Sequence, residues 1–244
     1  MSLKSLVILG IVCFVLFLIV KLPANLALSL FAPDGVEFSG VEGSLWNGSA
    51  NALVLSGSNV GSITWDLKLL RLLTLKLAAD VELERPDNGF AQGLVAVGLG
   101  NNVQLTNFRA LINSAVLQIP ALSFVNADLA FDLQEANLKS GWPTELNGTV
   151  NIANLRSNQV NAMLGNFSIA FPEQYDSPLV GQFTDEQATL QANGTLTLEA
   201  DRGYSVQGTI TPTNETDSSV RNALRFMGAP GANGAVTLNT QGSL

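Results

Sequence analysis

From Thr74 to Glu84 apolar and polar side chains alternate without a break. Leu75, Leu77, Ala79, Val81 and Leu83 share one parity, and Thr74, Lys76, Ala78, Asp80, Glu82 and Glu84 share the other. A period of two separates these sets onto opposite faces of a strand, whereas a helix would spread both around its circumference. The pattern predicts a strand with one buried and one wet face. It makes Leu75, Leu77, Val81 and Leu83 the candidate lining of a core or an apolar groove.

The rest of the chain repeats the theme. Val36–Ser39 begins a strand, Gly40, Gly43 and Gly48 suit tight turns or bulges, and Asn51–Ser56 and Gly61–Leu67 read as the next strands. Leu69–Leu73 is a compact link, apolar except for Arg71, and Arg85–Gly89 is a turn by its Pro, Asp, Asn and Gly content. Phe90–Leu99, Val103–Asn107 and Ala115–Ile119 are further strand candidates. Leu122–Leu133 ends in alternation, with Ala127, Leu129, Phe131 and Leu133 opposite Asp128, Ala130 and Asp132. Leu146–Ala153, Ala192–Leu198, Val206–Thr211 and Ala232–Leu238 then share one form: a polar residue, a glycine, a small residue, and alternation. Their spacing is irregular, so they read as hairpins of an antiparallel meander rather than turns of a solenoid, with Asn-Gly supplying positive φ at turns or bulges. One segment has helical spacing. Asp217 or Ser218 can cap it, Val220, Leu224 and Met227 fall on one face, Arg221 and Arg225 flank that face, and Gly228 with Pro230 ends it. Such a helix is expected to pack over the end of the sheet with its arginines in water. The fold class is therefore mainly β, an antiparallel meander with one short C-terminal helix.

Ahead of this lies an apolar run. Leu6–Val20 contains no charge, hydroxyl or amide, and Leu6, Ile8, Leu9, Phe14, Phe17 and Leu18 are candidate anchor residues within it. With Leu3 and Leu22 as outer limits it is about 20 residues, or about 30 Å of helix, enough to cross a bilayer's hydrocarbon core. A cleaved signal peptide is the rival, but the run ends in Lys21-Leu22-Pro23 rather than a small-x-small tripeptide, and Val12 before Cys13 does not suit a lipoprotein signal. The expectation is an uncleaved transmembrane helix: 1–5 a cytoplasmic tail, 6–22 the anchor, 23–35 a juxtamembrane linker or helix, and 36–244 an exported β-rich domain. Lys4 and Lys21 flank the run almost evenly, so the positive-inside rule says little about orientation.

Composition narrows the chemistry. The net charge is −8, and all twenty acidic residues follow Lys21 with ten of the twelve basic ones. That balance argues against nucleic acid or anionic lipid as a partner for the bulk of the exported domain. Cys13 is the only cysteine and there is no histidine, which removes disulfides, a thiolate nucleophile in the exported part, and the commonest general base and metal ligand. The sequons at Asn47, Asn147, Asn166, Asn193 and Asn214 are expected by chance in an Asn-, Ser- and Thr-rich chain. Asp80, Glu82 and Glu84 could offer oxygen ligands, but acids on a wet strand face are ordinarily just solvated. Trp46, Trp65 and Trp142 are candidate anchors for a partner, with core packing the simpler reading for the first two. No catalytic residues, cofactor or metal are expected.

Several blocks together resemble a known family. They are Leu22-Pro-Ala24, the stretch Gly40–Ala50 with Gly43, Leu45, Trp46 and Gly48, Trp65-Asp-Leu67, and Leu224–Gly234 with Leu224, Phe226 and Gly228. The combination resembles protein N of the bacterial type II secretion system, with Ser44 standing where the pattern leads one to expect Thr. The resemblance implies a bitopic protein of the Gram-negative inner membrane, its bulk in the periplasm, serving protein transport across the outer membrane through contacts with other secretion subunits. More distantly the chain is similar to AsmA-type envelope proteins, which implies a curved, taco-like sheet. Two roles follow: protein contacts by β-augmentation or surface packing, or, as the alternative, lipid binding in an apolar β-groove.

Overall fold

Alternating sequence becomes antiparallel strand along most of the described chain. The computed structural model describes residue 17 and residues 21–32, 35–74, 76–117, 123–231 and 233–243. The expected anchor lies outside these residues apart from Phe17, Lys21 and Leu22, and so does Leu75. Among the described residues no helix is long and apolar enough to cross a membrane. The chain divides into two compact units, residues 1–88 and residues 89–244.

In the first unit, helix α1 (Ala24–Phe31) precedes strands β1 (Val36–Gly43), β2 (Asn47–Leu55), β3 (Ser58–Leu67) and β4 (Leu77–Glu84), with a 3-10 turn over Leu69–Thr74 between the last two. Each strand runs antiparallel to the one before. Register places Gly43, Gly48, Trp65 and Val81 in one cross-strand row, and Val41, Ala50, Ile63 and Leu83 in the next row of that face. Glu42, Ser49, Thr64 and Glu82 form a row on the opposite face. Ala24 and Ala27 are buried at 0% and 1% exposure, so α1 lays its small-residue face on the unit.

The strand read from Thr74 to Glu84 is shorter than expected. Thr74 belongs to the 3-10 turn, and the final pair of β3 with β4 is Leu67 with Ala79. Leu77 therefore lies past the last residue paired with β3, and is 51% exposed rather than lining a core. Ala79, Val81 and Leu83 keep the expected alternation, half-buried between exposed Asp80, Glu82 and Glu84.

The second unit comprises β5 (Phe90–Val97), β6 (Asn102–Asn113), β7 (Val125–Lys139), β8 (Trp142–Ser157), β9 (Ala162–Gln174), β10 (Leu179–Ala188), β11 (Leu190–Leu198), β12 (Gly203–Pro212), helix α2 (Ser218–Met227) and β13 (Val236–Ser243). Strands follow chain order. Among the described residues β13 pairs with β12 and not with β5, so this sheet is open rather than a closed barrel. Phe131, Val150, Ile169, Phe183, Gly194, Gly208 and Leu238 make one row, and Asp132, Thr149, Ala170, Gln182, Thr195, Gln207 and Asn239 make the neighbouring row of the opposite face. One face is apolar and the other polar, as period-two patterning requires.

The sheet of this unit curls around its apolar face. Leu133 and Ala136 of β7, Leu146 of β8, Phe171 of β9 and Leu179 of β10 form a buried cluster, against which Leu105, Leu196 and Leu198 pack. The hairpin tips β7–β8 and β11–β12 meet: Trp142 Nε1 donates to the Glu199 carbonyl at 2.7 Å, and Arg202 Nη2 donates to the Ser140 carbonyl at 2.7 Å. Tips separated by two intervening strands can touch only if the sheet between them bends. At the other end of these strands α2 sets Val220 and Leu224 against Ala162, Leu190 and Val236.

Two local expectations change. The glycines of the repeated Asn-Gly and Gln-Gly blocks lie mostly inside strands; only Gly234 occupies a turn, at φ +74°. Gly148 marks a bulge at φ +152°, while Gly194 and Gly208 lie beneath the Phe183 ring, where an added Cβ would approach Cε1 or Cζ at 2.7 Å. Secondly, the strand expected over Ala115–Ile119 begins instead as a 3-10 turn, Ser114–Leu117, with 118–119 outside the described residues. Buried Ser114 accepts the Ala127 N–H at 3.0 Å and draws the chain off the strand. Gly228 ends α2 as expected, in extended backbone at φ 166°.

Candidate functional site

The motif residues of the first unit converge on one corner. The β1–β2 turn is closed by Ser44, whose N–H donates to the Asn47 carbonyl at 2.8 Å and whose hydroxyl accepts the Asn47 N–H at 3.2 Å. Gly43 enters this turn at φ +86°, where a Cβ would meet the Asn47 carbonyl oxygen at 2.6 Å. Gly48 leaves it, and a Cβ there would meet Trp65 Cζ2 at 2.6 Å and the Glu42 carbonyl oxygen at 2.8 Å. The absent side chain is replaced by the Trp65 ring, which lies across the strand from Gly48 and donates from Nε1 to the Leu45 carbonyl at 3.0 Å. Phe38 meets the same indole edge to face, centroids 6.5 Å apart. Trp46 is half-buried, and its carbonyl accepts the Leu67 N–H at 2.6 Å. Gly43, Leu45, Trp46, Gly48 and Trp65 are thus one packed device, which explains a glycine-rich block and a distant tryptophan in the same chain.

The corner also grips the chain that enters it. Leu45 N–H donates to the Leu22 carbonyl at 2.9 Å, and Pro23 pairs with Ser44 as an isolated bridge. The segment leaving the apolar run is therefore fastened to the sheet before α1 begins.

A polar network runs along the opposite face of the corner. Asn47 Nδ2 donates to Asp66 Oδ2 at 3.1 Å, and the Lys68 ammonium bridges Asp66 Oδ1 at 2.8 Å and Asp80 Oδ2 at 2.6 Å. The bond from Lys68, then that from Asn47, holds the Asp66 carboxyl below its ordinary range, and Asp66 followed by Asp80 raises the Lys68 ammonium. Asp80 is therefore engaged by a lysine, and among the described residues no group of three or more His, Cys, Asp or Glu could hold a metal ion. Composition drew attention to the acids but not to Asn47 or Lys68; the only signal for this network was Trp65-Asp66 beside a turn.

The remaining motif residues lie in the second unit and do not act together. Leu224 is buried at 6% exposure, Phe226 on the opposite side of α2 is 92% exposed, and Gly228 follows the helix. Asp217 caps α2, accepting the Ser219 N–H at 2.7 Å and the Ser219 hydroxyl at 2.6 Å, which lowers its carboxyl pKa. Arg221 is not simply in water. Its guanidinium donates to the carbonyls of Thr216, Thr213 and Asn214 at 3.0, 2.6 and 3.1 Å, tying the preceding loop to the helix. A cavity of about 330 Å³ beside it is lined by Arg225, Asn214, Asn233 and Leu224 among others. A second, of about 270 Å³, opens over the Gly148 bulge between Gln134 and Gln182. Of the expected groove residues, Val81 and Leu83 line the half-buried face while Leu77 does not.

The family described as "Type II secretion system (T2SS), protein N" matches residues 34–239. A chain named Type II secretion system protein N from Vibrio cholerae serotype O1 is 27% identical over 234 residues, covering 93% of this chain and 92% of that one. Another of that name, from Aeromonas hydrophila, is 26% identical over 247 residues, covering 96% of each. No solved structure matches the chain significantly.

Proposed function

The chain belongs to the type II secretion system protein N family, and from that premise we propose that it is held in the cell inner membrane by Leu6–Val20, with its sheets in the periplasm. There it aids export of folded proteins across the outer membrane by contact with other secretion subunits. It works by placement rather than turnover, and binds no cofactor. The observation that carries this reading is the grip of Leu45 and Ser44 on Leu22 and Pro23. In the sequence an apolar run about the length of a bilayer core stands directly before Leu22 and Pro23, which the motif corner holds. Fastening the chain at Leu22 and Pro23 suits a protein whose task is to stand at a fixed height among partners. The test is a deletion strain. Secreted proteins should accumulate in the periplasm, be exported again on supply of the wild-type gene, and stay trapped when the supplied gene carries Gly48→Val. An unchanged secretome in the deletion strain overturns the reading.

A second reading, lipid held against the apolar face, rests on the half-buried row Phe131, Val150, Ile169 and Phe183 in the second unit. Mass spectrometry of protein purified in mild detergent distinguishes it. Bound phospholipid lost in a folded Ile169→Asp variant supports lipid binding, and its absence from wild type removes it.

A further inference from the structure

The 3-10 turn of the first unit sits at the same end as the motif corner. Strand β1 ends there and β2 begins; β3 ends there and β4 begins; Leu22 and Pro23 are bound there. At this end Leu69 is 49%, Leu70 82% and Leu77 51% exposed. One exposed leucine on a protein surface is unremarkable, but three on one end of a small unit form an apolar patch that calls for a cover.

Charge identifies the cover. From Leu67 to Ala79 the sequence carries Lys68, Arg71 and Lys76 and no acid, in a chain whose net charge is −8. Exposed Lys21 arrives at the same end. The carboxylates nearest this end are Asp66 and Asp80, which share the Lys68 ammonium, and Glu42 on the polar face of β1. Leucines flanked by cations, without acids between them, are the composition of a surface that enters the headgroup region of an anionic bilayer. Position agrees. If Val20 ends a membrane helix, the two residues to Leu22 span at most about 7 Å, so the corner cannot stand clear of the bilayer.

We propose that this end of the first unit docks on the anionic bilayer surface, Leu69 and Leu70 entering the interface while Lys21, Arg71 and Lys76 meet lipid phosphates. The proposal rests on the reading of Leu6–Val20 as a membrane anchor. Docking adds a second point of attachment, so the unit is seated on the membrane rather than hinged from it.

The test uses the full chain in vesicles of phosphatidylethanolamine and phosphatidylglycerol that contain a lipid-borne fluorescence quencher. A fluorophore is placed by Leu70→Cys in a Cys13→Ser background, with Leu69→Cys as a second site and Ser58→Cys, at the opposite end of the unit, as the aqueous control. A label on the natural Cys13 reports the anchor separately. Quenching at position 70 should be about threefold that at position 58, and should fall about twofold when Arg71→Glu and Lys76→Glu are combined or when phosphatidylcholine replaces the anionic lipid. Quenching at positions 69 and 70 no greater than at 58, with Cys13 strongly quenched, overturns docking and leaves the anchor standing. Quenching at 70 without quenching at Cys13 keeps docking and overturns the anchor. Quenching at neither overturns both.

Discussion

Gly48 and Trp65 show how a single missing side chain organises a corner. The indole occupies the space above Gly48 and its N–H reaches the Leu45 carbonyl at 3.0 Å. Gly48→Ala should destabilise the first unit by about 1–3 kcal/mol, because the new methyl meets backbone oxygens of Glu42 and Ser44 as well as the ring. Trp65→Phe keeps most of the packing but leaves the Leu45 carbonyl without this donor, at about 1 kcal/mol. Urea denaturation followed by circular dichroism measures both. The Asp66–Lys68 pair adds a pH signature. Asp66 is lowered, so its contribution is complete above about pH 4 and lost as pH falls through the lowered value. Lys68 is raised, so its contribution is complete below about pH 10 and lost as pH rises through the raised value. The gap in urea midpoint between wild type and Asp66→Asn should therefore close below about pH 4 and stay constant through neutrality. The residues of this corner were legible as a motif, but its mechanics were not. Nothing local to Gly48 announces a ring that arrives from β3.

Helix α2 and the inner row of the second unit carry the argument at the level of elements. Spacing of Val220 and Leu224 identified the buried face of α2, and Asp217 caps it as expected, since both signals lie within one helical turn. Leu224→Ala should cost about 2–5 kcal/mol by opening a cavity among Leu190, Val220 and Val236, whereas Phe226→Ser, at 92% exposure, should leave the thermal midpoint nearly unchanged. Calorimetry separates the two outcomes. Helical spacing predicts Arg221 on a solvated flank, yet it holds three loop carbonyls, because the loop that folds beneath it is placed by tertiary contacts. The Asn-Gly blocks predict turns or bulges, which holds at Gly148 and Gly234 but not at Gly194, for a related reason. Asn-Gly favours turns locally, but a mid-strand glycine is equally required where a cross-strand aromatic lies over it. Gly194→Val should disrupt the β10–β12 region, since its Cβ would reach the Gln207 carbonyl oxygen at 2.1 Å and Phe183 at 2.7 Å. Loss of amide exchange protection confined to those strands is the expected observation.

For the molecule as a whole, deletion of residues 1–20 should release the chain from the membrane pellet under an alkaline wash, while the intact chain stays with it. In each unit the strands present one apolar and one polar face, and period-two alternation in the sequence determined this by itself, since side chains at i and i+2 share a face whatever their partners. The same local reading determined the capped helix and the absence of histidine and disulfide chemistry. Tertiary structure decided what depends on register and on where partner strands end. It left Leu77 beyond the end of β3, set Trp65 over Gly48 and Phe183 over Gly194 and Gly208, and curled the second sheet until Trp142 reached Glu199. These contacts join residues far apart in the chain, and a two-residue period carries no information about which distant strand lies opposite or how sharply the sheet between them bends.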